Sequence, residues 1–145
     1  MTNAAATQET YYDPLYVAFL YYFNVERDYF ECHEVMEALW LEEGRDPLYQ
    51  GLLQVAVGLY HHRGGNIDGG VKLLTAAIAK LEEREPELLG IRLDRLVQDA
   101  RRHLANLKRH DTVPFPFRDL DIEIADPSLS KQVAAFVPPE SDEGH

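Results

Sequence analysis

Apolar residues recur at helical spacing from about position 13 to position 110. Ile67, Val71, Leu74, Ile78 and Leu81 make one stripe, and Leu93, Leu96, Val97, Ala100, Leu104 and Leu107 make another. That is the i, i+3, i+4 periodicity of helices with one face in a core. Cap signals divide the region into five segments. Asp13-Pro14 sets an N-cap before proline at the first helical position and starts a helix to about Phe23, which Asn24 to Arg27 break. Asp28 caps a second helix carrying Phe30 to Leu41 and stopping near Gly44. Asp46-Pro47 repeats the start signal for residues 47–62, and Gly64-Gly65 end that helix. Asn66 caps a fourth helix, which Glu85-Pro86 ends, and the fifth begins between Gly90 and Leu93.

After His110 the pattern changes. Val113 to Phe117 contains two prolines and reads as extended, and Leu120, Ile122 and Ile124 alternate as a strap along the bundle would. Short connections between consecutive helices imply antiparallel neighbours. The prediction is an all-α fold: a single compact bundle of about five helices with an extended C-terminal segment. Residues 1–12 read as a disordered leader, 13–110 as the bundle and 111–145 as strap and tail, with Pro138 to His145 frayed. Neither a βαβ alternation nor a glycine-rich phosphate loop is present, which argues against nucleotide folds.

Two helices carry polar rows where packing asks for carbon. In the third, Gln50, Gln54 and His61 share one face with Val57. In the second, His33 and Glu37 stand at i and i+4 with Glu34 beside them. Paired across the interior, these rows predict a buried polar cluster of His33, Glu34, Glu37, Gln50, Gln54 and His61. Asn66 is a helix cap and a candidate to orient His61 through the loop. His33, Glu37 and His61 are candidate ligands for a divalent metal, although His33-Glu34-x-x-Glu37 lacks the second histidine of a zincin helix. His62 reads as a surface or interface residue, and Cys32 as an inert buried thiol. Gly51, Gly58, Gly69 and Gly70 lie inside helical runs, where glycine lowers stability by about 1 kcal/mol relative to alanine; close helix approach is the expected compensation.

Charge narrows the partners. The net charge of −11 argues against nucleic acid and anionic membrane surfaces. Four lysines against ten arginines match the surface chemistry of high-salt cytoplasm, with an ordinary acidic protein as the alternative. One cysteine, no secretory signal pattern and no apolar run of membrane length point to a cytoplasmic protein. The aromatic stretch Tyr11 to Phe23 is too apolar for an exposed face and suggests a homodimer or a protein partner. Arg95, Arg102 and Arg109 are heptad-spaced and either dock an acidic partner or pair with nearby acids.

Read together, Phe23-Asn24, Tyr29-Phe30-Glu31-x-His33-Glu34-x-x-Glu37-x-x-Trp40, Tyr49-Gln50-Gly51-Leu52-Leu53-Gln54-x-Ala56, His61 or His62, Gly65-Asn66 and Gly69 resemble the domain-of-unknown-function family 309. The resemblance spans about residues 15–81 and implies an all-α fold, but no activity, substrate or cofactor. Val25-Glu26-Arg27 departs from the small residue usual there. Two readings follow: a helical domain whose polar network serves structure or partner binding, and a small metal-dependent or acid/base enzyme, hydrolase-like, using the same cluster.

Overall fold

Three aspartate–proline steps open helices in the structure, a computed structural model that describes residues 10–139. Asp13, Asp46 and Asp126 each accept a hydrogen bond from the backbone N–H two residues on, with proline in the first turn. The elements are α1 (Pro14–Tyr21), a π-helical turn (Tyr22–Glu26), α2 (Tyr29–Glu42), α3 (Pro47–Arg63), α4 (Ile67–Leu81), β1 (Glu87–Leu88), β2 (Ile91–Arg92), α5 (Leu93–Lys108) and α6 (Pro127–Ala135). The all-α expectation holds, and the five predicted helices are present. Two features went unread. One is the β1–β2 hairpin, which turns through Leu89 and Gly90, both at positive φ. The other is α6.

Helix α6 corrects the reason for expecting a dimer. Tyr16 to Leu20, Tyr22 and Phe23 are buried within this one chain. The rings of Tyr21 and Tyr22 meet Phe136 at 5.0 and 5.9 Å, just beyond the end of α6. The apolar surplus of α1 is therefore covered by the C-terminal region. Residues 10–12, expected in the leader, are tied to α6: Gln132 Nε2 donates to the Thr10 carbonyl, the Tyr12 N–H donates to Gln132 Oε1, and the Tyr12 hydroxyl donates to Asp126. The remainder of the leader, residues 1–9, and the end of the tail, residues 140–145, lie outside the described residues.

The expected break after Phe23 is a π-helical turn ending at Arg27, which adopts φ 56°. This turn aims two side chains at the strap. Asn24 Nδ2 donates to the Ile122 carbonyl and Asn24 Oδ1 accepts from the Ile122 N–H, both at 2.9 Å. Arg27 donates to the Leu120 carbonyl at 2.6 Å and pairs with Asp121. Farther on, the Arg92 N–H donates to the Glu123 carbonyl and Ile91 bridges Ile124. The extended segment is thereby tied down through its backbone at Leu120, Ile122, Glu123 and Ile124.

Helices α3 and α4 approach closely because glycine stands where they meet. A Cβ on Gly51 would lie 2.8 Å from Leu81, and one on Gly58 would lie 3.0 Å from the Leu74 side chain and 3.4 Å from its backbone nitrogen. Leu74 and Leu81 are fully packed. Gly58→Val is expected to destabilise the fold by about 2–3 kcal/mol through overpacking, read as a lower urea midpoint with an unchanged slope.

Candidate functional site

The polar rows sit at the rim of the core. On α2 the buried positions are Tyr29, Cys32, Met36 and Leu39, so His33, Glu34 and Glu37 flank that arc and remain solvent-accessible. His33 Nδ1 lies 3.5 Å from Glu34 Oε2 and His33 Nε2 lies 3.6 Å from Glu37 Oε1, in ion-pair range. On α3 the buried arc is Leu48, Gly51, Leu52, Val55, Ala56, Gly58, Leu59 and His62, which turns Gln50, Gln54 and His61 to a half-buried flank. The buried interior cluster expected from the sequence is thus corrected to a surface-facing one. Asn66 is the expected cap and lies beside His61. Its Oδ1 accepts from the Gly69 N–H as a cap, and its Nδ2 lies 3.4 Å from His61 Nδ1. Among the described residues no group of three or more His, Cys, Asp or Glu is arranged to hold a metal ion, so His33, Glu37 and His61 are not assembled as a ligand set.

The rim also holds apolar residues. Phe30, Leu41 and Tyr60 are 52%, 49% and 43% exposed, and the Phe30 and Tyr60 rings stand 6.3 Å apart across α2 and α3. Two buried polar atoms here lack partners among the described residues: the donor Trp40 Nε1 and the acceptor Gln54 Oε1. Arg45 lies over the Trp40 ring at 5.4 Å. An unpartnered buried donor or acceptor destabilises a fold by about 1–3 kcal/mol.

The buried polar pair of this protein is instead His62 with His103, at 4% and 2% exposure. His62 was expected at the surface, and His103 was not singled out. His62 Nδ1 and His103 Nε2 are 2.9 Å apart, and His62 Nε2 is 3.1 Å from the Phe115 carbonyl. A carbonyl only accepts, so His62 Nε2 carries the hydrogen, His62 Nδ1 accepts, and His103 Nε2 donates. Phe115 stacks on His62 with centroids 5.4 Å apart. The sequence did carry the signal for His103, since Ala100, His103 and Leu107 continue one helical stripe.

Burial is the main cause that holds both imidazoles neutral. The His62 pKa is lowered, chiefly by desolvation and further by His110, against the opposing bond to Phe115. That of His103 falls to about 4, through desolvation first and then His62 and Arg118. Burial likewise pushes the Cys32 thiol up, in keeping with an inert cysteine.

The arginines of α5 are largely paired. Arg95 lies 3.8 Å from Asp99 and 3.6 Å from Glu123, Arg102 lies 3.1 Å from Asp99, and Arg109 donates to Asn106. Among the described residues no helix is long and apolar enough to cross a membrane.

Comparison with known proteins bears on this geometry. The family model described as Domain of unknown function (DUF309) matches residues 16–73, the span holding α1 to the first half of α4. The chain is 35% identical over 122 residues to the uncharacterized protein YpuF of Bacillus subtilis (strain 168), covering 79% of this chain and 70% of that one. The chain belongs to the DUF309 family. No solved structure matches it. The DUF309 match includes the exposed rim and His62, whereas His103 and the strap lie beyond it.

The histidine pair sets a pH dependence. Above the ordinary histidine pKa of roughly 6.5 both states are neutral, and stability is at its full value. Between about 6.5 and about 4 the unfolded chain protonates while His103 does not, so stability declines as pH falls. The His103 share of that loss is about 3 kcal/mol. In an NMR titration the His103 ring protons are expected to hold their neutral shifts from pH 8 to about pH 5; a midpoint near 6.5 would contradict the assignment.

Proposed function

We propose that this DUF309 chain is a protein-binding module that docks a basic, amphipathic segment of a partner polypeptide across α2 and α3. The observation that carries this reading is the rim itself, where Phe30, Leu41 and Tyr60 are half-exposed and the Phe30 and Tyr60 rings stand 6.3 Å apart across α2 and α3. Charge selects the partner. Helix α2 holds four glutamates and no lysine or arginine, so a basic segment is favoured and an acidic one repelled. An apolar anchor framed by charges of one sign is the usual helix-in-groove arrangement.

The test is fluorescence anisotropy with basic amphipathic peptides and their charge-reversed counterparts. The expected result is saturable binding of basic peptides alone, weakening with salt and lost in Tyr60→Ala and in Glu34→Lys/Glu37→Lys. Phe30→Ala and Tyr60→Ala should change stability by no more than about 0.5 kcal/mol, as surface positions do. A loss of about 3 kcal/mol or more in either variant would make the rim a structural feature. Equal binding of acidic peptides would overturn the proposal.

A further inference from the structure

A cavity of about 380 Å³ opens between α5 and the strap, bounded by residues that the proposed docking face does not use. Its charges pair unevenly. Arg95 and Arg102 share Asp99, Arg95 also reaches Glu123, and Asp121 is held by Arg27. Arg118 has no ion pair among the described residues, and Asp119 accepts a hydrogen bond from the neutral Tyr29 hydroxyl without an ion pair of its own. An unneutralised guanidinium and an unneutralised carboxylate therefore stand on adjacent residues of the cavity wall.

The buried His103 also lines this space. Its Nε2–H is committed to His62, which leaves the Nδ1 lone pair without a partner among the described residues. That lone pair accepts a hydrogen bond and repels an anion's oxygen. A simple anion would meet it together with the carboxylates of Asp99, Asp119, Asp121 and Glu123. A simple cation would meet three guanidiniums. A molecule carrying both charges on neighbouring atoms suits the whole lining. Phe115 and Leu120 add apolar wall for a side chain, and the volume lies within the range of small-molecule sites, roughly 300–1,000 Å³.

We propose that this cavity binds a free α-amino acid, with its carboxylate on Arg118 and its ammonium shared between Asp119 and His103 Nδ1. The site is independent of the peptide-docking face, and its test uses different ligands and different residues. Isothermal titration of the full chain with individual proteinogenic L-α-amino acids at millimolar concentration is expected to show saturable one-to-one binding for at least one. For that amino acid, the matching amine without carboxylate and the matching acid without ammonium should each bind at least about tenfold more weakly. Arg118→Gln and Asp119→Asn should weaken it by a similar factor. Both positions are exposed, and asparagine can still accept from Tyr29, so both variants are expected to keep the wild-type melting temperature. In wild type the His103 Nδ1 resonance should move on titration. Absence of binding by every amino acid, equal binding of the deaminated acid, or indifference to Arg118→Gln would overturn the proposal.

Discussion

Two imidazoles withdrawn from water must find hydrogen bonds or destabilise the fold, and here they find them in each other and in one carbonyl. His62 comes from α3, His103 from α5 and the carbonyl from Phe115 on the strap. The direction of the chain is fixed by its end, because the Phe115 oxygen can only accept. From that follow the tautomer of both rings and the free Nδ1 of His103. The contact joins three segments that are distant in sequence, and Phe115 and Phe117 seal it, with centroids 5.4 and 5.3 Å from His62. The strap is thus held by a polar interaction at its core-facing side as well as by Asn24 and Arg27 along its length.

The protein divides its polar side chains between two environments. On the α2–α3 rim, His33, Glu34 and Glu37 keep contact with solvent, and their mutual distances of 3.5 and 3.6 Å are those of loose surface pairs, which contribute little to stability. Beneath the strap, His62 and His103 are buried and fixed by their mutual hydrogen bond and the Phe115 carbonyl. The rim offers half-exposed apolar side chains beside carboxylates, whereas the space beside His103 is lined by guanidiniums, carboxylates and an imidazole.

Much of this architecture was legible in the sequence. The Asp-Pro steps at 13 and 46, the caps at Asp28 and Asn66 and the stripes of α4 and α5 marked five helices. Asp126-Pro127 is the same signal, but only Leu129 and Val133 follow it as buried apolar residues, too short a stripe to declare α6. The phase of α3 was misjudged for a different reason. Its core face is lined by Gly51 and Gly58 as well as leucines, and glycine adds nothing to a hydrophobic pattern even where backbones come closest. His62, four residues after Gly58, therefore looked peripheral although it lies on the buried arc, while Gln54 and His61 looked internal. The strap's partners were illegible because Asn24 and Arg27 meet residues more than ninety positions away.

The cover over α1 has a temporal meaning. Tyr21 and Tyr22 are among the first residues of this region to leave a ribosome, and Phe136, which packs on both, is among the last. At ordinary elongation rates roughly ten seconds separate them. During that interval the aromatic helix has no C-terminal segment to lie against, and neither the bonds from Tyr12 to Asp126 and Gln132 nor the bond from Gln132 to Thr10 can form. The nascent chain therefore exposes the Tyr21 and Tyr22 rings early and covers them only after Phe136 has emerged.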